Sequence, residues 1–286
     1  MTASRKIITL TTDFGEKDGY VAALKGTILS IVDHVRLIDI SHEIAPHDIM
    51  EGAYVLGRTA ATFPPGTIHL VVVDPEYGSE RRPVALRFGG HVFVGPNNGL
   101  FSLVLGGVRP ELLVELTNRA FWRGGIDGPT RFNALDILAP AAGHLAAGVA
   151  LSNMGQTIET LHPMHWALPI TDQEGIQGWV VHIDRFGNCI TNIHRHTFRQ
   201  FQGTRTFKCY VGNSVLLGHE RAYGAAETGD PVVIFNSDDI LEIAINRGNA
   251  STLLDIAKGA PVNIVFGEDR EPALSDVGET SGGAES

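Results

Sequence analysis

The sequence predicts an α/β protein in two parts: an N-terminal α/β domain with a central, mostly parallel sheet flanked by helices, and a smaller C-terminal antiparallel β-barrel-like domain. Three observations predict it. Through the first half, short Val-, Ile- and Leu-rich runs alternate with stretches of helical spacing, as buried parallel strands with crossover helices require. The pattern breaks between Leu161 and Thr171, where His, Pro and Trp interrupt it. Beyond that break, short β-branched runs follow one another with turn residues between them, the signature of a small barrel. These shifts place the domains at 1–165 and 166–267, with a Glu-, Ser-, Gly- and Asp-rich tail, 268–286, expected to be disordered.

In chain order, Ile7 to Thr12 is the first strand, and Val21 to Leu29 the helix after it. Asp13 ends that strand, and Asp18 stands where a helix cap is expected. Val35 to Ile40 is the second strand, followed by a helix from Ile49 to Ala61. Thr67 to Val73, Val84 to Phe88 and His91 to Val94 are further strands, the last closed by Pro96-Asn97-Asn98-Gly99, a strong turn signal. Leu100 to Leu105 reads as a short helix, and Ile137 to Ala150 as a long one with Asn133 and Asp136 near its positive end. The second half gives strands at Gly178 to Ile183, Cys189 to Ile193, Thr206 to Val211, Val232 to Asn236, Leu241 to Ile245 and Val262 to Phe266.

Composition narrows the function. Of 286 residues, 43% are hydrophobic and 19% charged, ordinary for a globular chain long enough for two cores. A net charge of −10, with no basic run, argues against a nucleic-acid partner and against attachment to an anionic membrane. Cys189 and Cys209 lie in apolar segments and read as buried free thiols. The chain enters its first strand straight after Lys6, and no apolar run approaches bilayer-spanning length, so the expected location is the cytoplasm. No glycine-rich phosphate fingerprint follows the first strand, which argues against a dinucleotide or P-loop ligand.

The chemistry is concentrated where apolar strands end in charge. Val71-Val72-Val73 runs into Asp74-Pro75-Glu76-Tyr77-Gly78-Ser79-Glu80-Arg81-Arg82, so a buried strand delivers a carboxylate and guanidinium groups to its carboxyl end. An Asp held by Arg stays ionised and can orient water or a cation; a surface salt bridge across a turn is the plainer reading. Asp13 is placed to accept hydrogen bonds from a sugar's vicinal hydroxyls. His42 and His47 with Glu43 and Asp48 have no zinc-signature spacing and read as polar residues rimming a strand end, so no metal is expected.

Together these stretches resemble one family. Thr11-Thr12-Asp13-Phe14-Gly15, Asp39-Ile40-Ser41-His42, Val73-Asp74-Pro75 with Gly78 and Arg81-Arg82, and Pro96-Asn97-Asn98-Gly99-Leu100 carry the first half. Ile183-Asp184-Arg185-Phe186-Gly187-Asn188 with Thr191-Asn192, then Asn236-Ser237 and Glu242-Ile243-Ala244, carry the second. In order and spacing, from about Ile7 to Phe266, they resemble the S-adenosylmethionine hydroxide adenosyltransferases, the group that also contains fluorinating and chlorinating enzymes. The resemblance implies attack of water or hydroxide at C5′ of S-adenosylmethionine, giving adenosine and methionine, with no cofactor. It also implies a homotrimer with active sites between subunits. Carried over, Asp13 would bind the ribose hydroxyls. Asp74 and Arg81 would be two members of an Asp-Arg-His set that activates water. Asp184 and Ser237 would hold the methionine amino and carboxylate groups, and Asn188 the adenine. From the residues alone, Asp184 and Asn188 read equally as shaping a hairpin turn, and Ser237 as capping a bend.

Three departures bear on the chemistry. The family's Phe-His-Gly-Arg-Asp segment reads Phe132-Asn133-Ala134-Leu135-Asp136 here, and Asn133 can hydrogen-bond a water without accepting its proton. The family loop Asp-Pro-Gly-Val-Gly carries Glu76 and Tyr77 instead, and His47 stands where the fluorinating enzyme has an aromatic over its substrate. His144, about three helical turns beyond Asn133, reads as a packed helix residue. Hydrolysis is the leading expectation because Asp74 is retained where halogenating relatives carry an aromatic. A halide-dependent 5′-halogenase and a non-catalytic binder of adenosyl ligands are the alternatives.

Overall fold

The computed structural model describes residues 5–74, 82–125, 132–164 and 168–269. The chain divides into two compact units, Met1–Leu168 and Pro169–Ser286. The first contains β1 (Lys6–Thr12), α1 (Tyr20–Leu29), β2 (Val35–Ser41), α2 (Ile49–Ala60), β3 (Ile68–Val72), β4 (Pro83–Phe88), β5 (His91–Pro96) and α3 (Leu100–Val104). After β6 (Leu112–Glu115), a π-helical turn (Ala134–Leu138) runs into α4 (Ala139–Ala146), and β7 (Gln156–Thr157) completes the sheet.

The strand order is β2-β1-β3-β5-β4-β6-β7. Pairing is parallel from β2 through β1 and β3 to β5, then antiparallel through β4, β6 and β7. The reversal comes from Gly89 and Gly90, at φ +58° and +81°, which close a two-residue hairpin between Phe88 and His91. Two consecutive positive φ values are what such a turn needs, and glycine adopts them without strain.

Helices cover both faces of the sheet. One core joins Ile8, Leu10, Leu70 and Val72 to Leu24, Ile28, Ala142 and Leu145 of α1 and α4. The other joins Val71, Val73, Val84 and Leu86 to Leu56, Leu100 and Phe101 of α2 and α3. Neighbouring residues of β3 point into opposite cores, so every residue of the strand is buried, and the run is apolar apart from His69. A Cβ on Gly52 of α2 would lie 3.2 Å from Val73 Cγ2, so glycine lets the helix close tightly on the strand end that precedes Asp74.

Two helix ends differ from the sequence reading. Gly19, not Asp18, is the N-cap of α1, and it makes no side-chain cap bond. α4 stops at Ala146 because Gly148, at φ +100°, turns the chain out of the helix. Asp48 does cap α2, its carboxylate accepting the Glu51 N–H at 2.9 Å.

The second unit holds β8 (Ile170–Thr171), β9 (Gly175–Ile183), β10 (Cys189–His194), α5 (Arg195–Gln202), β11 (Arg205–Val211), β12 (Ser214–Leu217), β13 (Pro231–Phe235), β14 (Ile240–Ile245), α6 (Ala250–Leu253) and β15 (Pro261–Asp269). Its antiparallel sheet runs β12-β11-β15-β9-β10-β14-β13, with β8 on β9, and the edge strands β12 and β13 approach each other to make a nearly closed barrel. Phe198 of α5 plugs it, packing edge-on against Phe207, Phe235 and Phe266. Both cysteines are buried free thiols; burial pushes Cys189 up to about 11 and Cys209 up to about 12. Because β15 runs to Asp269, the tail expected from 268 begins inside a strand, and 270–286 lie outside the described residues. No helix among the described residues is long and apolar enough to cross a membrane.

Candidate active site

β1 and β3 are parallel neighbours, with Leu10 opposite Leu70 and Thr12 opposite Val72. Asp13 and Asp74, one and two residues beyond their strands, therefore emerge at the same carboxyl end, where open α/β sheets bind ligands. The Asp13 N–H still reaches the Val72 carbonyl at 3.3 Å, which keeps the two strand ends together.

The loop entering α2 closes on this pair. The His47 N–H donates to Asp13 Oδ2 at 2.8 Å, while its ring Nδ1 lies 3.2 Å from the Asp74 carbonyl oxygen and 3.9 Å from Asp13 Oδ2. His47 sits at φ +68°, a left-handed conformation uncommon outside glycine. Its side chain is 65% exposed, against 8% for Asp13, so the carboxylate is sunk and the imidazole stands at the mouth.

A second set of contacts holds the first in place. Thr12 Oγ1 meets His42 Nδ1 at 2.8 Å, His42 Nε2 lies 3.0 Å from Asp39 Oδ1, and Lys25 Nζ donates to Asp39 Oδ2 at 2.6 Å. Burial raises the Asp39 carboxyl, but hydrogen bonds from Lys25 and His42 outweigh it and hold the group below its ordinary value. The sequence reading placed His42 on a polar rim, yet it is buried and tied into this chain. Its only signal was the three-residue spacing from Asp39; the lysine gave none. Asn98 is a further supporting residue: its amide donates to the Val73 carbonyl at 2.7 Å and fixes the backbone just before Asp74.

Asn133 precedes the π-helical turn, a distortion found often at functional sites. The Phe132 ring beside it packs against Phe14 and Tyr20, both at 5.7 Å, which brings the Asn133 segment to the turn that follows Asp13. Asp136 accepts the Phe132 N–H at 3.0 Å. Arg81 lies outside the described residues, as do Glu76 and Tyr77. His144 packs edge-on against Phe121, as a helix packing residue, and burial lowers its pKa.

In the second unit, Asp184 and Asn188 are brought together in the β9–β10 turn. Asp184 Oδ1 accepts the N–H groups of Phe186 and Asn188, both at 2.9 Å, and Oδ2 accepts the Asn188 side-chain amide at 3.0 Å. A side chain on Gly187 would run into Asn249. This is the hairpin-shaping arrangement, and it uses three of roughly four acceptor directions of the carboxylate. Ser237 belongs to the β13–β14 turn, which Asn236 builds by accepting the Asp238 and Ile240 N–H groups. β10 pairs Cys189 with Ile243 and His194 with Ile240, so the Asp184–Asn188 and Ser237 turns lie at opposite ends of this strand pair.

A separate cavity of about 470 Å³ lies between α1, α4 and Trp122-Arg123-Gly124. None of the strand-end and turn residues above is among its described lining residues, and with Arg123 and no carboxylate among them it does not suit a cation.

Comparison with known proteins places the chain in a family. The family model described as SAM hydroxide adenosyltransferase N-terminal domain matches residues 8–155, and the corresponding C-terminal domain model matches 178–263. The chain is 35% identical to the (R)-S-adenosyl-L-methionine hydrolase of Thermus thermophilus, covering 89% of this chain and 97% of that one. It is 33% identical to the enzyme of the same name from Methanocaldococcus jannaschii, over 91% and 96% of the two chains. A fluorinase from Actinopolyspora mzabensis is more distant, 28% identical over 91% and 97%. A solved structure of an uncharacterised conserved protein from Thermotoga maritima superposes with a TM-score of 0.79 at 32% identity, covering 91% of this chain and 99% of that one. With both domain models matched in order and relatives above 30% identity along nearly its whole length, this chain belongs to the SAM hydroxide adenosyltransferase family.

Proposed function

We propose that the protein hydrolyses S-adenosylmethionine to adenosine and methionine by attack of water at C5′. The observation that carries this reading is the delivery of Asp13 and Asp74 to one sheet end, with His47 bridging the Asp13 carboxylate and the Asp74 main-chain carbonyl. The substrate is a sulfonium cation, so carboxylates at the site favour its binding. The leaving group departs as a neutral thioether and needs no acid. The protein's task is to hold a water in line with the C5′–S bond and draw off its proton. Asp13 binds the ribose hydroxyls and Asp74 orients the water, with Arg81 as its partner and Asn133 as a further hydrogen-bonding group. Asn188, fixed by Asp184, meets the adenine, and Ser237, at the far end of the strand pair, meets the methionine portion. The spent acceptor directions of Asp184 support its orienting role over direct binding of the amino group. The reading carries a homotrimer, checked by light scattering, and a cytoplasmic location.

The test is incubation of purified protein with S-adenosylmethionine, in both sulfonium configurations, with and without chloride or fluoride, followed by chromatography of the nucleosides. Halide-independent adenosine with equimolar methionine supports the hydrolase. A halide-dependent 5′-halo nucleoside would make it a halogenase, against the charge of Asp74. Thermal stabilisation by substrate without product would make it a binding protein.

A further inference from the structure

We propose that His47 is the group that takes the proton from the attacking water, a role that rests on the hydrolase reading above. Three observations converge on this imidazole. The first fixes its tautomer. Nδ1 lies 3.2 Å from the Asp74 main-chain oxygen, which can only accept, so the ring proton sits on Nδ1. Nε2 is thereby left with a bare lone pair, as a general base requires. The second is its electrostatic support. Asp13 Oδ2, 3.9 Å from Nδ1, stabilises the imidazolium formed when the proton arrives, completing a base held by an orienting partner. The third is the backbone. His47 is one of four non-glycine residues at positive φ among those described, and its N–H is spent on Asp13, so the strained loop holds this ring between the Asp13 carboxylate and the Asp74 main chain.

The chemistry balances without another reactant. A water O–H bond breaks and its proton goes to His47 Nε2 as the oxygen bonds C5′. The C5′–S bond breaks with its electron pair remaining on sulfur, giving adenosine, neutral methionine sulfur and a proton released from the imidazolium. Asn133 cannot accept that proton, and the Nε2 lone pair of a neutral imidazole can. Among the described residues, the ionisable groups on the surrounding elements include Asp13 on the turn after β1, Asp74 after β3, His42 and Glu43 in the loop after β2, and Asp48 and Glu51 at the start of α2.

The test exploits the positive φ. Glycine and asparagine both tolerate it, so His47→Gly and His47→Asn keep the loop while removing the base. Both variants should melt within a few degrees of the wild type and lose about a hundredfold in kcat. A general base makes kcat/KM rise with pH as it loses its proton, and that limb of the wild-type profile should be absent in both. Added imidazole should restore turnover to His47→Gly at least about tenfold, following the fraction of neutral imidazole as pH changes, while ammonium at equal ionic strength should not. Wild-type turnover with undiminished kcat in His47→Gly would overturn the proposal and leave the hydrolase standing. So would a loss that imidazole does not repair, which would make His47 a positioning residue. Failure of the wild type to form adenosine would instead overturn the hydrolase reading on which the proposal rests.

Discussion

The strand-end loops of the first unit and the β9–β10 turn of the second are both rich in Asp, Asn and Gly, yet they are held together differently. In the first unit the bonds span long stretches of chain: Thr12 to His42 is 30 residues, Asp13 to His47 is 34, and His47 to Asp74 is 27. In the second, Asp184 bonds residues two and four positions away. A local turn satisfies itself and needs little from the rest of the fold. A long-range cluster exists only once the strands are in register, and it leaves a carboxylate and an imidazole with capacity for a ligand. Substitutions at the strand ends should therefore appear in turnover, and substitutions in the turn should appear in stability.

The largest effect is expected at Asp74. If it orients the water, Asp74→Ala should lower kcat by at least about a hundredfold with little change in melting temperature. An unchanged kcat would take Asp74 out of the reaction and end the claim that strand-end carboxylates do the chemistry.

The same replacement at the two other acids tests the comparison directly. Asp13→Asn keeps an oxygen for the His47 N–H but loses the charge that holds ribose hydroxyls, so KM should rise about tenfold, in keeping with a lost charge-assisted hydrogen bond. Asp184→Asn places an amide where a carboxylate accepts three N–H groups, and should cost about 1–2 kcal/mol of unfolding free energy in denaturant melts. The reverse pattern, with Asp13→Asn unstable and Asp184→Asn raising KM alone, would break the contrast.

Asn133→His is expected to act more mildly. With Phe132 docked on Phe14 and Tyr20, a histidine at 133 stands near the Asp13 turn and should raise hydrolysis a few-fold by adding a second proton acceptor. An equal or lower rate would mean the pocket has been rebuilt around His47.

This division also governs what could be read in the sequence. The β3 run and the six barrel strands were legible because burial period is local. The Asp184–Asn188 turn was legible as a turn for the same reason. The β4–β5 reversal rests on Gly89-Gly90, a two-residue connection that only antiparallel strands can use; the sequence reading named both strands without assigning their sense. β12 and α5 were missed because four residues of alternating pattern, and an eight-residue helix with few apolar positions, give too little periodic signal. The candidate acids were found, because a charge at the end of an apolar run stands out. The bridging place of His47 and the Thr12–His42–Asp39–Lys25 chain, buried at Thr12 and His42, depend on strand order, which no spacing reveals.

The remaining expected effect leaves turnover untouched: it concerns acid stability and carries the long-range pattern into the core of the first unit. His69 on β3 is fully buried, with Nδ1 2.7 Å from Thr9 Oγ1, Nε2 3.2 Å from His91 Nδ1 and its ring stacked on Phe93. Burial, and then the neighbouring charge of His91, lower its pKa from 6.5 to about 3. Between those values the unfolded chain binds a proton that the folded protein refuses. Stability from this residue is therefore complete above pH 6.5 and drains away as pH falls toward 3, at up to about 1.4 kcal/mol per pH unit. Burial lowers His91 as well, so the pair acts in the same direction. His69→Phe keeps the ring stacking and removes one titrating group. The variant loses the Thr9 and His91 bonds at every pH, but its unfolding free energy should fall less steeply than the wild type's between pH 6.5 and 4. Parallel slopes would show that the folded protein protonates His69 as readily as the unfolded chain does, and that this buried bond between strands does not govern acid unfolding.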